Sequence, residues 1–293
     1  MEHGPSALQR ITQLYAQMSP SQRMIADVIL QDPETAAFYT VSELAARAGV
    51  SDSTVTRFAT FVGCSGFPAL SRELQELVRS RLTTSERFQL SRAVKTDEHR
   101  TIIQFFEDDV QNITMMMERM DLESFERTVD RLTKANTVGI VCSRSSVALG
   151  LFFEFYLHLL KKDVVLFTGE PRTIDLLHRV ARDDVMVGIG FARYSRFTVE
   201  CLKYGKRKGA HIIALTDYPS SPLVPYADEV LFTPTGIASH LDSFVAPLSL
   251  ITALLRALAN RTSEQLAEGL QALEDIWQDF HVYIDPKKTM ANE

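Results

Sequence analysis

The chain has 293 residues, 45% of them apolar and 23% charged, with a formal net charge of -6 and three cysteines. This length suits two domains with a core of ordinary size, and the acidic balance excludes a broad nucleic-acid coat while leaving room for a local basic spot. Cys64, Cys142 and Cys201 lie far apart with no CxxC spacing, which argues against a zinc site or a disulfide framework and fits a reducing cytoplasm.

The opening MEHGPSALQR lacks the apolar core of a signal peptide. The longest apolar stretch, 147–160, is interrupted by Glu154 and His158 and is too short to cross a bilayer. A soluble cytoplasmic protein with no membrane partner is expected. The first eighty residues read as helices. Leu8, Ile11, Leu14, Tyr15 and Met18 keep a helical period. Ser19-Pro20 supplies an N-cap followed by a first-turn proline, and Met24, Ile25, Val28 and Ile29 give the next helix its apolar face until Asp32-Pro33. Thr40 and Glu43 have capping-box spacing, and Gly49 is placed to end that helix in a left-handed conformation. Ser51 can cap the following helix, whose buried face is expected at Val55, Phe58 and Ala59. Gly63 and Gly66-Phe67-Pro68 precede a last helix carrying Leu70, Leu74, Leu77 and Val78.

Two helices joined by a glycine turn, 44–48 and 53–62, have helix-turn-helix geometry. In that motif the second helix enters the major groove. Ser51, Ser53, Thr54 and Thr56 are short donors suited to phosphates at a helix N-terminus, and Arg57 reaches a guanine edge or a phosphate. Asp52 either discriminates between bases or weakens phosphate contact. Arg23, Arg47, Arg72 and Arg79 are further phosphate candidates or ordinary solvated arginines. A small helical domain that merely uses a serine cap is the competing reading. The hydroxyls at the outward positions favour double-stranded DNA as the partner.

Residues 81–100 are polar and read as a connector between a domain at 1–80 and a second at 101–293. Helices are predicted over 102–120 and 122–135, with Met115, Met116 and Met117 as packing material. Short β-branched runs then alternate with helical patterns: 137–142, 164–167, 185–191, 211–216 and 229–232. The pattern predicts an α/β domain with about five parallel strands, buried on both faces and flanked by helices. Ligands of such sheets sit beyond the carboxyl ends of the strands, which directs attention to the loops after Cys142, Phe191 and Thr216.

Taken together, the two halves resemble an RpiR-type transcriptional regulator. MSPSQRMIADVILQDP (18–33) and TVSELAARAGVSDSTVTRFATFVGCSGFPAL (40–70) are similar to that family's helix-turn-helix domain. TVGIVCSRSSVALG (137–150), FARYSRFTVE (191–200) and ALTDYPSSPLVPYADEVL (214–231) are similar to a sugar-isomerase, or SIS, domain of flavodoxin-like architecture. The resemblance implies a phosphosugar held by hydroxyls and backbone amides of two loops. The family's Gly-x-Gly-Ser-Ser loop reads Cys142-Ser143-Arg144-Ser145-Ser146 here, with both glycines replaced. Its Ser-x-Ser-Gly-x-Thr-x-Glu loop reads Arg193 to Glu200, keeping Ser195, Thr198 and Glu200 but placing arginines at 193 and 196.

Arg144 in such a loop hinders close backbone approach but adds a charged fork, and Arg193 and Arg196 add two more. An anionic effector is expected, a phosphosugar or sugar acid. Alternatively the arginines pair with carboxylates at a dimer surface and the pocket is degenerate. Ser145 and Ser146 serve as helix caps, anion donors or both. Tyr194 either stacks on a ligand or closes its loop. His240 lies near where SIS proteins lend a residue across the dimer. Asp242-Ser243 is expected to cap the long apolar helix 244–258, through which, with the helices beside the first strand, the domain dimerises or forms tetramers.

Three functions remain at this level: an effector-responsive DNA-binding regulator, a phosphosugar isomerase or lyase, and a degenerate SIS dimerisation module on a DNA-binding domain. An isomerase needs a positioned acid and base, for which Glu200 and His240 are the candidates. The sequence shows no metal-ligand spacing, Ser-His-Asp arrangement or phosphate-binding P-loop, so no enzyme activity, metal or cofactor is expected.

Overall fold

Side-chain capping sets the beginnings of the first helices. In the computed structural model, which describes residues 6–79, 85–86, 98–160, 162–236 and 242–283, α1 (Ala7–Leu14), α2 (Pro20–Gln31) and α4 (Val41–Ala48) each open on a reciprocal capping box. The pairs are Ser6 with Gln9, Ser19 with Gln22 and Thr40 with Glu43. Each satisfies two backbone donors that a helix start leaves orphaned, a cap being worth about 1 kcal/mol. The short α3 (Pro33–Ala36) has Asp32 as its cap, and α5 (Asp52–Phe61) and α6 (Phe67–Arg79) follow.

Three boundaries differ from the periodicity. The first helix stops at Leu14 and tightens into a 3-10 turn over Tyr15–Gln17 instead of running to Met18. Pro33 starts a turn of helix where only an ending was expected, because Asp32 accepts from the Thr35 N–H at 3.0 Å. The Phe67-Pro68 pair lies inside the first turn of α6, where proline is tolerated. Ile11, Ile25, Ile29, Leu44, Phe58, Leu70 and Leu74 fill the core of this helical unit. Arg10 ties α1 to α6, donating to the Val62 carbonyl at 2.7 Å and to Glu73 at 2.8 Å.

The chain divides into two compact units, Met1–Gln111 with Gly236–Ser243, and Asn112–Thr235 with Phe244–Glu293. Most of the 81–100 segment lies outside the described residues, and α7 (Glu98–Glu118) already begins within its last residues. Of the three methionines on α7, Met116 is buried, whereas Met117 is exposed.

In the second unit, α8 (Leu122–Lys134) precedes five strands: β1 (Thr137–Val141), β2 (Asp163–Phe167), β3 (Val185–Ile189), β4 (His211–Thr216) and β5 (Glu229–Phe232). All neighbours are parallel, in the order β2-β1-β3-β4-β5. This is the flavodoxin-like order, and its direction reverses between β1 and β3. The connecting elements include α9 (Val147–Leu159), α10 (Pro171–Asp175) and α11 (Arg196–Lys208); α12 (Val245–Arg261) and α13 (Ser263–Asp279) close the chain.

Both faces of the sheet are buried, one under the cluster of Ile140, Val187, Ile213, Leu231, Phe153 and Leu254, the other under that of Met186, Ile212, Leu202 and Cys201. This is why each strand reads as a continuous apolar run. α11 lies close over β3 because Gly205 has no side chain: a Cβ there would sit 2.1 Å from the Met186 sulfur and 3.2 Å from Ile212. Met186 is itself fully buried and has nowhere to retreat. Gly205→Ala is therefore expected to lower stability by about 1–3 kcal/mol through overpacking, read as the midpoint shift in urea unfolding.

One expectation for α12 is corrected. Its N-cap position is Phe244, not Asp242 or Ser243, and Phe244 makes no side-chain capping bond; the Ser243 hydroxyl bonds Asp109. Its apolar residues Ala246, Leu250, Ile251, Leu254 and Leu258 are consumed by the core of their own subunit. Val245 and Leu248 remain exposed on that helix, as do Leu151, Phe155 and Tyr156 on α9. Beside them, α9, α12 and α13 enclose an apolar groove of about 360 Å³ lined by Phe152, Tyr156, Leu255, Leu266 and Leu270.

Candidate functional site

The α4–α5 pair is built on small residues. Leu44, Ala45 and Ala48 of α4 and Val55, Phe58 and Ala59 of α5 are all buried. Gly49 joins the helices at φ +63°, and the Val50 N–H returns to the Ala45 carbonyl at 2.9 Å, closing the helix end. With these residues turned inward, Ser51, Asp52, Ser53, Thr56 and Arg57 are exposed and Thr54 half-buried.

Ser51 holds the N-cap position by its backbone, but its hydroxyl makes no capping bond. It pairs instead with the hydroxyls of Ser53 and Thr54, each at 2.9 Å. The first turn of α5 therefore presents uncapped N–H groups beneath a cluster of hydroxyls, an arrangement that receives phosphate oxygens. Asp52 is turned aside: its carboxylate accepts from Ser42 of α4 at 2.7 Å. Thr56 back-bonds to the Asp52 carbonyl, and Arg57 folds over the Ser53 carbonyl at 3.2 Å, leaving its guanidinium terminus outward. Arg47 stacks on Tyr39 at 4.5 Å and Arg23 donates to the Ala16 carbonyl, so both have local packing roles.

At the carboxyl end of the sheet, the loops after β1 and β3 flank the point where strand order reverses. The first runs from Cys142 through a 3-10 turn at Arg144–Ser146 into α9. Arg144 stands where the resembled motif has glycine, and it adopts the glycine conformation, φ +57°. The Ser143 Oγ is buried and has no hydrogen-bond partner among the described residues. Arg144 and Ser145 are exposed; Ser146 is buried at the start of α9 and makes no capping bond. Cys142 lies in the core, where burial pushes its thiol up to about 12, so it is an inert packing group.

The second loop places Arg193, also left-handed at φ +68° and exposed, before Tyr194 and Ser195. Ser195 is the N-cap of α11 and again makes no side-chain capping bond; Arg196 follows it, exposed, and Thr198 is buried one turn on. Both helices that start at this crevice thus open on serines whose hydroxyls are not spent on their own helix.

Asp217, just past β4, holds the second loop in place and was not singled out by sequence reasoning. It accepts from the Ala192 N–H at 2.8 Å and the Tyr194 hydroxyl at 2.7 Å. Burial, reinforced by that carboxylate, pushes the Tyr194 phenol well above its usual range and keeps it a donor. Tyr194 thus closes the loop. Tyr194→Phe should cost about 1.5–3 kcal/mol, because it leaves a buried carboxylate one donor short; the same unfolding experiment reads it. Thr216 bonds the Gly190 carbonyl at 2.7 Å and Ser221 at 2.8 Å, which gives the Ser220-Ser221-Pro222-Leu223 turn its structural part. The one available signal for Asp217 was a carboxylate directly after an apolar strand.

Two further hydroxyls, of Thr233 and Thr235 beyond β5, are fully buried without partners among the described residues. Nothing in the Thr-Pro-Thr text marks them. Glu200 is exposed on α11. His240 lies outside the described residues. Among the described residues no cluster of metal-ligating side chains occurs, and no helix is long and apolar enough to cross a membrane.

Comparison with known proteins gives each unit a counterpart. Residues 6–80 match the helix-turn-helix domain of the rpiR family, and residues 131–257 match the SIS domain. An uncharacterized HTH-type transcriptional regulator of Haemophilus influenzae is 27% identical over 235 residues, 79% of this chain and 81% of that protein. The sugar isomerase domain of an RpiR transcription factor from Sphaerobacter thermophilus is 28% identical, with a TM-score of 0.57 over 59% of this chain and 97% of that one. The NanR protein of Vibrio vulnificus, solved in complex with ManNAc-6P, shares the fold at 18% identity and a TM-score of 0.56, over 94% of this chain and 98% of that one.

Proposed function

The chain joins an rpiR-family helix-turn-helix domain to a SIS domain and is an RpiR-type transcriptional regulator; from that premise we propose that its SIS domain binds a small anionic metabolite, a phosphosugar or sugar acid, and that binding alters operator affinity. One observation carries this reading. The loops after the neighbouring strands β1 and β3 lead into two helices whose N-cap serines, Ser146 and Ser195, make no capping bond. Ser143, Arg144, Ser145, Arg193, Arg196 and Thr198 surround them, with His240 as a candidate contributed from the segment beyond β5.

The chemistry of such a crevice is anion binding. Orphaned N–H groups and the positive ends of two helix dipoles favour negative charge, and serine hydroxyls complete the shell. Arg144 and Arg193 hold left-handed backbone, which costs a non-glycine residue about 1–2 kcal/mol, and both are exposed in the two loops. Arginine forks bind phosphate and carboxylate in two-point fashion, so the effector's anionic group is placed against them. Ser51, Ser53, Thr54, Thr56 and Arg57 contact operator DNA, with Asp52 positioned by Ser42.

Sensing requires only that the effector bind two conformations unequally. Two subunits present two recognition helices, and their separation selects the half-site spacing of a roughly palindromic operator. The apolar groove beside α9, with Leu151, Phe155 and Tyr156 exposed, supports a homodimer. An effector that shifts that separation must, by linkage, be bound more or less tightly in the presence of operator by the same factor.

A thermal-shift screen of the full chain against phosphosugars, sugar acids and dicarboxylates tests the reading. A true effector at a hundred times its Kd stabilises by about 2.7 kcal/mol, and it should move operator affinity in fluorescence anisotropy. Operator binding that ignores every member of the panel would instead leave the SIS domain as a dimerisation module.

A further inference from the structure

The connection between β2 and β3 is thinner than its neighbours. The crossovers through α9 and α11 each carry a helix of 13 residues, whereas here the chain offers only the 5 residues of α10 and a 3-10 turn of 4, Leu176–Arg179. So short a cover does not fill the sheet face beneath it. A cavity of about 240 Å³ remains between the strands and this segment. Voids larger than a water molecule are few in a close-packed interior, so a space of this size is a candidate ligand site.

The floor of the cavity is apolar. Val165, Phe167 and Met186 border it, and β1 contributes Gly139, whose missing side chain leaves the room. A Cβ on Gly139 would stand 3.0 Å from the Phe167 ring and 3.5 Å from the Met186 side chain. The rest of the wall is polar and carries both signs of charge, with Thr137, Arg179 and Asp184. Arg179 is exposed and makes no hydrogen bond or ion pair among the described residues. Asp184 is held in place. Its Oδ2 accepts from the Ala181 N–H at 2.8 Å, and its backbone carbonyl accepts from the His211 N–H at 2.9 Å. Two opposite charges thus border one apolar space without pairing with each other.

We propose that this cavity binds a small zwitterion with an apolar side chain, a free α-amino acid of about the size of leucine. The side chain lies on Val165, Phe167 and Met186, the carboxylate meets Arg179, and the ammonium meets the Asp184 carboxylate. The size fits: 240 Å³ exceeds the roughly 150 Å³ that admits benzene and falls short of the roughly 300 Å³ where pockets for drug-sized ligands begin. A ligand with a single charge leaves the opposite wall charge unpaired beside apolar surface, which costs free energy, whereas a zwitterion satisfies both. The site is separate from the anion crevice. Thr137 opens β1 and Asp184 directly precedes β3, so these polar groups lie at the amino ends of the strands, and the crevice lies at their carboxyl ends. The inference therefore stands or falls independently of the effector reading.

Methyl NMR of the full chain labelled at methionine tests it, because Met186 borders the cavity and Met186→Leu identifies its signal. Leucine should move that signal in a saturable titration. 4-Methylpentanoate lacks the ammonium and 3-methylbutylamine lacks the carboxylate; each should bind roughly 10- to 100-fold more weakly, the effect of one lost charge-assisted contact. Arg179→Ala should weaken leucine by the same factor without moving the melting midpoint of the empty chain, since Arg179 has no described partner to lose. A Met186 signal unmoved by leucine, valine and phenylalanine would overturn the site. Equal affinity for leucine and 4-methylpentanoate, or undiminished leucine binding by Arg179→Ala, would overturn the zwitterion. A phosphosugar that moves operator affinity should leave the Met186 signal in place, so the two sites are read apart.

Discussion

Arg57→Ala should weaken operator binding by roughly 10- to 100-fold while leaving the fold intact. Arg57 is exposed on α5, and its one described bond is from Nε to the Ser53 carbonyl, so its loss removes no core packing. A guanidinium bonded to a guanine edge or to a phosphate contributes about 1–3 kcal/mol, which sets the size of the effect. The two kinds of contact separate by salt. Loss of a phosphate contact weakens all sequences alike and reduces the slope of log K against log salt by about 0.9; loss of a base contact leaves the slope and relaxes specificity at one position. Fluorescence anisotropy with cognate and scrambled duplexes at two salt concentrations distinguishes them. Unchanged affinity for every duplex would remove α5 as the reading head. Because the whole chain carries a net charge of -6, such local contacts must supply the attraction that overall charge does not.

The Arg144→Gly replacement should move stability and ligand affinity in opposite directions. Arg144 sits at φ +57°, in left-handed backbone that glycine adopts freely. Relief of that strain should stabilise the protein by about 1 kcal/mol, a rise of a few degrees in Tm. The same change removes a guanidinium from the crevice, and a lost charge-assisted hydrogen bond to the effector costs about 1.5–3 kcal/mol, or roughly 10- to 100-fold in affinity. Calorimetric titration with a hit from the metabolite screen, beside a melting curve, reads both. A more stable protein with undiminished affinity would make Arg144 an accident of the loop. Arg193→Gly, at φ +68°, is the parallel experiment on the second loop.

Much of the fold was legible because its signals are local. The Thr40–Glu43 capping box, the Gly49 helix end and the buried faces of α4 and α5 each follow from a few adjacent residues. The five strands announced themselves as β-branched runs because a sheet covered on both faces needs apolar residues at every position. The misplaced boundaries share one cause. The early stop of α1, the extra turn at Pro33 and the start of α12 at Phe244 depend on hydrogen bonds that a periodicity does not register.

By itself the sequence determined the two-part architecture, the glycine turn between α4 and α5, and the positions of the two crevice loops, since spacing and residue type specify these locally. Only the tertiary structure decided that Asp217 holds the second loop through Ala192 and Tyr194, more than twenty residues earlier in the chain. Only it showed that Arg144 and Arg193 both take up left-handed backbone, that Asp52 turns to Ser42, and that the apolar face of α12 is spent inside its own subunit. Periodicity tells which residues of a helix share a face, but which face meets the core is settled when the distant elements pack.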